Sequence, residues 1–185
     1  MMMTTTHAVH RAVLALGGNL GDRLESLQSA LDALTDAPGI QPLSISPVYE
    51  TEPFGGAPGS QDAKDMSDQP PYLNAVALIG TDLTPHQLLI RTQAIEEALH
   101  RVRVSGERWA ARTIDVDIVA YDDLELQDED LTVPHVRAHE RTFVLKPWHD
   151  IEPDAVLPGR GPIADLLARL PEDGVEARPD LALQW

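Results

Sequence analysis

The chain of 185 residues contains no cysteine, which excludes a disulfide framework, a thiolate zinc site and a cysteine nucleophile. Positive charge is scarce. Fourteen Lys and Arg stand against thirty Asp and Glu, for a formal net charge of −16. That balance argues against nucleic acid or an anionic membrane surface as a partner. The apolar run from Ala12 to Leu16 is too brief for a signal sequence or a membrane span, which points to a cytoplasmic protein. Aromatic residues are few: three Trp, three Tyr and two Phe. Neither G-K-[ST] nor G-x-G-x-x-G occurs, so the Gly-rich stretch near the N-terminus lacks both common phosphate-binding fingerprints. There is no internal repeat and no low-complexity segment. The length and a hydrophobic content of 43% fit one compact domain over residues 1–185, with residues 1–10 frayed and a monomer as the expectation.

What positive charge exists is gathered in one place. Residues 91–112 carry five Arg against three Glu in an otherwise acidic chain. The stretch Arg108–Asp123, RWAARTIDVDIVAYDD, follows directly. From Thr113 to Ala120 it alternates as a half-buried strand does, with Ile114, Val116 and Ile118 on one face and Asp115 and Asp117 on the other. Strand geometry sets the two aspartates roughly 6.5–7 Å apart at Cα with their carboxylates pointing the same way. Like charges that close repel unless a cation sits between them. Mg²⁺ suits them, because it takes a few carboxylates together with water and substrate phosphates. Arg101, Arg103, Arg108 and Arg112 mark where such phosphates would lie, since guanidinium groups match phosphate oxygens. The plainer alternative is that the D-x-D pair only solvates the outer face of a sheet.

The remaining elements read in order. His10–Leu16 is a strand that stops at Gly17-Gly18-Asn19-Leu20-Gly21, a structural turn. Asp22 caps a helix with Leu24, Leu27, Leu31 and Leu34 on its buried stripe. Leu43–Thr51 is a second strand, with Pro47 at an edge or bulge. Residues 55–71, rich in Gly, Pro, Ser and Asp, form a long mobile loop. Tyr72–Gly80 is apolar on both faces and therefore central. Thr84, Pro85 and Gln87 open a second helix as N-cap, N1 proline and capping-box residue. On this helix Gln93, Glu96 and His100 share a stripe that is either solvated or faces a ligand. Asp122–Asp130 is a solvated turn in which Leu124 and Leu126 add a short hairpin. A helix begins near Ala138 and breaks or kinks at Pro147. A last helix, about Pro162 to Leu170, precedes a polar end. His135 and His139 lie four apart, but no third zinc ligand is evident.

This order predicts an α+β fold: a ferredoxin-like split βαβ sandwich, a largely antiparallel sheet with helices packed on it and C-terminal additions.

The segment R-W-x-x-R-T-I-D-V-D-I resembles the signature of the 6-hydroxymethyl-7,8-dihydropterin pyrophosphokinases of folate biosynthesis. Gly17–Asp22 resembles that family's G-S-N-L-G-D, with Gly18 in place of Ser. Leu131-Thr132-Val133-Pro134-His135 with Glu140-Arg141-Thr142-Phe143-Val144-Leu145 resembles a second block. The likeness spans roughly Ala12 to Leu170. It implies transfer of pyrophosphate from ATP to the hydroxymethyl group of the dihydropterin, with AMP released.

It further implies that Asp115 and Asp117 hold two Mg²⁺ ions and that Arg103 and Arg112 stabilise developing charge. Gln93, Glu96, Arg101, Trp109, Ile118, Thr132, His135 and Arg141 would serve ATP. Thr51, Pro53, Phe54, Tyr72, Asn74, Trp109 and Phe143 would serve the pterin, with Tyr72 and Phe143 stacking and Asn74 hydrogen bonding. Without the resemblance, Phe143 reads as core and Tyr72 as a common strand residue. The chain departs from the family pattern at Ala110-Ala111, where Gly-Pro is frequent, and at Asp130, where some relatives carry a basic residue. Residues 57–67 look like extra loop. Two other readings share the fold: a different two-metal nucleotidyl-transfer enzyme, and a non-catalytic ligand-binding domain.

Overall fold

The computed structural model describes residues 9–53, 69–99 and 114–185. In chain order the elements are β1 (His10–Gly18), α1 (Arg23–Thr35), β2 (Ile40–Ile45), β3 (Tyr49–Thr51), β4 (Tyr72–Thr81), α2 (Pro85–Ala98) and β5 (Asp115–Tyr121). There follow β6 (Leu126–Gln127), β7 (Thr132–Val133), a 3₁₀ turn (Ala138–Glu140), α3 (Thr142–Ile151), β8 (Val156–Leu157), β9 (Gly161–Pro162), α4 (Ile163–Leu167) and β10 (Val175–Ala177).

The main sheet runs β10-β3-β4-β1-β5, with β2 also paired to β4, and every pairing in it is antiparallel. With β2 and β3 counted as one interrupted strand, this is the ferredoxin-like arrangement. β4 is central and buried along nearly its whole length, as its two apolar faces require.

The sheet has a core on each face. Toward α1 and α2 lie Ala12, Leu14 and Leu16 of β1, Leu73, Ala75, Ala77 and Ile79 of β4, and Ile114, Val116 and Ile118 at β5. They pack on Leu27, Leu31 and Leu34 of α1 and on Leu88 and Ile95 of α2. Toward α3 and α4 lie Val13, Val76, Leu78, Val119 and Ala120, packed on Val144, Leu145, Trp148, Leu157 and Ile163. The helix caps form as read. Asp22 accepts from the Glu25 N–H, and Thr84 and Gln87 close a reciprocal capping box.

Five expectations are corrected. The stretch read as one strand, Leu43–Thr51, is two strands broken at Ser46-Pro47-Val48. Pro47 has no N–H to give the ladder, and the Ser46 hydroxyl accepts from the Val76 N–H instead (2.8 Å). β5 does not alternate as far as Ala120. The register with β1 slips between Val13 and Leu14, so Val119 is an extra, bulged residue, and Val119 and Ala120 both belong to the α3-side core. The helix near Ala138 is interrupted at Arg141, which has extended backbone angles, and α3 then continues through Pro147. The last helix is shorter than read, Ile163–Leu167. Finally, the tail is not merely polar. β10 extends the sheet beyond β3, Leu181 and Leu183 join the α1-side core, and Gln184 and Gln28 exchange two hydrogen bonds (2.7 and 3.0 Å). Its sequence hides this because the apolar run Leu181-Ala182-Leu183 is short and Val175 stands among charged residues.

Among the described residues no helix is long and apolar enough to cross a membrane.

Candidate active site

Register brings the candidate residues together on the α3 side of the sheet. Gly17 of β1 lies opposite Asn74 of β4 on one side and Asp115 of β5 on the other. One pair further along, Ala15 lies opposite Val76 and Asp117. Residues opposite one another share a face, so Asn74, Gly17 and Asp115 form a row across three strands, with Asp117 in the next row. Beyond β4, Tyr49 lies opposite Asn74 and Thr51 opposite Tyr72.

The Asn74 end of this row is already bonded. Asn74 Nδ2 donates to Thr51 Oγ1 at 2.7 Å, and both residues are buried. A Cβ on Gly17 would stand 2.8 Å from Asn74 Oδ1, so glycine there lets the Asn74 amide lie flat over β1. Asn19 Nδ2 donates to the Pro70 carbonyl (3.0 Å) and to Gln69 Oε1 (3.3 Å), which ties the turn after β1 to the chain entering β4. Tyr72 and Pro53 are half-buried nearby in sequence, on β4 and just after β3.

The acidic side faces cations and a histidine. Asp117 Oδ2 is 3.9 Å from Arg141 Nη1 and 3.9 Å from His135 Nε2. The Arg141 guanidinium also lies over the Phe143 ring, 5.6 Å from its centre. His135 is placed by the bulge in β5: its own N–H donates to the Val119 carbonyl at 2.9 Å. Its Nδ1 accepts from the Arg137 N–H at 3.2 Å, so in the neutral ring the proton is on Nε2, facing Asp117. Burial, helped by the positive charge of Arg141, lowers the His135 pKa to about 4 against the opposing pull of Asp115. At neutral pH the contact with Asp117 is therefore that of an uncharged donor, not an ion pair.

A cleft of about 210 Å³ opens beside this group. Asp117, Ile118, Thr132 and His135 line it, with Asp130 and apolar walls from Leu89, Leu131 and Val136. Four residues expected at the nucleotide site thus meet around one cavity. Gln93 is exposed on α2 and does not line that cleft, and Glu96 is buried with its carboxylate on the Val116 N–H, so the two do not share a solvated stripe. Arg101, Arg103, Trp109, Arg112 and Phe54 lie outside the described residues, as do residues 1–8 and most of the long loop. Sequence reasoning overlooked Gly17, Asn19, Arg137 and Tyr49. The first two stand in the Gly-rich turn that was read as structural, and the other two act through the Arg137 N–H and through a phenol hydroxyl bonded to Asp150.

No group of three or more metal-ligating side chains occurs among the described residues. Two half-buried carboxylates sharing a strand face are nonetheless the donor set of a cation completed by water and phosphate oxygens. Such a pair beside an arginine and a cleft is the layout of a nucleotide-dependent phosphotransferase.

The comparisons narrow that class. The sequence pattern of the 7,8-dihydro-6-hydroxymethylpterin-pyrophosphokinase (HPPK) family matches residues 13–153. A 2-amino-4-hydroxy-6-hydroxymethyldihydropteridine pyrophosphokinase of Methylorubrum extorquens is 41% identical over 166 residues, 90% of this chain and 97% of that one. The enzyme of the same name from Pseudomonas aeruginosa is 39% identical over 171 residues, 92% of this chain and 98% of that one. Among solved structures, Plasmodium falciparum HPPK-DHPS wild type superposes with a TM-score of 0.65 at 17% identity, covering 90% of this chain and 44% of that one. The chain belongs to the HPPK family. Its reaction is pyrophosphate transfer from ATP to 6-hydroxymethyl-7,8-dihydropterin in folate synthesis, and neither of the other two readings of the fold is favoured.

Proposed function

We propose that the row Asn74–Gly17–Asp115 is where the two substrates meet, with the pterin on the Asn74 side and the ATP phosphates on the Asp115–Asp117 side. The register that carries this reading sets the two ends roughly 10 Å apart, two strand spacings. That is room for a pterin ring next to a polyphosphate. The Asn74 amide and the Thr51 hydroxyl would bond the edge of the heterocycle, while Tyr72 and Phe143 offer faces to stack on. The hydroxymethyl oxygen would attack the β-phosphorus, the bond from that phosphorus to the α-phosphate oxygen would break, and AMP would leave as the hydroxyl gives up its proton.

Asp115 and Asp117 would hold two Mg²⁺ ions, whose charge neutralises the phosphate oxygens when bound. The protein's own share is mostly positional and electrostatic. Arg141 balances Asp117, and neutral His135 presents an Nε2–H toward the same place without adding charge. Alternation along β5 turns the Val116 and Ile118 peptide groups away from β1 to the open edge of the strand. Val116 and Ile118 both line the cleft; the Val116 N–H is taken by Glu96, and the Ile118 peptide would suit the hydrogen-bonding edge of the adenine. Arg103, Arg112, Arg101 and Trp109 retain the roles the family resemblance gives them, and Gln93 is kept as a contact to ATP. A single-domain, monomeric, cytoplasmic enzyme completes the reading.

Purified protein with MgATP and the hydroxymethyl-dihydropterin should form AMP, stop in EDTA and resume with added Mg²⁺. ADP or diphosphate as the nucleotide-derived product would overturn it.

A further inference from the structure

Among the described residues β5 ends the sheet on its side, so one of its edges has no described strand beside it. On that edge a glutamate from α2 takes the place of a neighbour. Glu96 is 4% exposed, and its Oε1 accepts from the Val116 N–H at 2.8 Å. Val116 is the residue between Asp115 and Asp117. The bond therefore holds the peptide group that joins Asp115 to Val116, in the backbone between the two carboxylates. It also blocks that edge from pairing with anything else, which leaves the neighbouring Ile118 edge open to the cleft.

From this geometry we infer that Glu96 is a positioning residue for the Asp115–Asp117 pair and not a ligand of the nucleotide. A buried carboxylate with an oxygen held by the backbone is turned away from solvent, and a negative charge in contact with phosphate would oppose binding. Glutamate suits the place because its longer side chain reaches from the helix to the strand, where aspartate would fall short by a methylene. The inference takes from the pyrophosphokinase reading what the two aspartates do. The bond itself stands apart from that reading.

Two substitutions and two measurements test it. In Glu96→Ala the Val116 amide hydrogen should exchange about 10- to 100-fold faster by NMR, as expected for losing one hydrogen bond to a charged group. Its kcat should fall about tenfold or more while the KM for ATP moves less than about threefold, the pattern of a misplaced catalytic group. Glu96→Gln keeps an oxygen acceptor at the same reach and should restore both the Val116 protection and the kcat to within about threefold. The inference is overturned if Glu96→Gln folds but is as slow as Glu96→Ala. It is equally overturned if Glu96→Ala raises the ATP KM at unchanged kcat, or if Val116 protection survives in Glu96→Ala. Thermal unfolding checks the fold of each variant, and Glu96→Gln decides alone should Glu96→Ala not fold. Exchange is read without substrates, so a wild-type protein that made no AMP would sink the reaction and leave the Val116 test standing.

Discussion

The two faces of the central sheet are built by the same strands to opposite ends. Toward α1 and α2 the surface is apolar from end to end, from Ala12 to Leu16 on β1 and from Leu73 to Ile79 on β4. Toward α3 it is apolar over only part of its length, through Val13, Val76, Leu78, Val119 and Ala120. It then turns polar at Asn74, Thr51, Asp115 and Asp117, with Gly17 bare between them. Period-two alternation makes this division cheap, because a strand can put stability on one side and chemistry on the other without lengthening. The closed face fixes the register, and the register sets the distances on the open face.

Adjacent residues at the start of β5 should therefore fail in opposite ways. Asp115→Ala, or Asp117→Ala, should lower turnover by about two to three orders of magnitude, on the order of 3–4 kcal/mol, with unfolding curves barely changed. Ile114→Ala, one residue from Asp115 and fully buried, should cost about 2–5 kcal/mol of stability, while the fraction that remains folded keeps its turnover. The contrast breaks if the aspartate variants unfold, or if Ile114→Ala loses activity with its stability intact.

The comparison sharpens with pH. His135 has a folded pKa of about 4 against an ordinary value of 6.5, so between those limits the unfolded chain binds a proton that the folded protein refuses. Its contribution to stability is complete above about pH 6.5 and is lost as the pH falls toward 4, on the order of 3 kcal/mol at the lower end. Denaturant titrations of metal-free protein across that window should show the decline, and His135→Gln should flatten it. A wild-type curve that coincides with that of His135→Gln would mean the histidine is not held neutral.

The smallest effect belongs to Gly17→Ala. The new methyl group would collide with Asn74 Oδ1 and push the amide off Thr51, with little change to either core. The expected loss is about 1–2 kcal/mol in pterin binding, with ATP binding close to normal, measurable by titration of each ligand. Equal weakening of both ligands would show that the two halves of the row are not separable.

How far the sequence alone could go follows from these same residues. Period and capping marked β1, α1, β4, α2 and β5, and the D-x-D pair stood out because alternation put both carboxylates on one side. The bulge at Val119 was not legible, since Val, Ile and Ala satisfy either face of a strand and only the partner's register reveals the slip. The break at Ser46-Pro47 was legible only as an irregularity at Pro47, not as a hydroxyl standing in for a ladder bond. Glu96 was drawn into the nucleotide site by resemblance, because helical spacing cannot distinguish a carboxylate that faces a ligand from one that faces a backbone N–H. The tail escaped notice for a different reason. Its pairing with β3 joins residues more than a hundred positions apart, and no local pattern records that.

That last pairing bears on how the protein is made. β3 has β4 on one edge and β10 on the other, so until residues 175–177 leave the ribosome its outer edge stays open. Thr51, which holds Asn74, sits on that edge opposite Val175. During synthesis the nascent chain thus passes through a stage in which most of the sheet can form while β3 offers unpaired backbone groups to any neighbour. A chaperone that shields extended segments would find its target there, and a stop codon before residue 175 would leave that edge exposed for the life of the molecule.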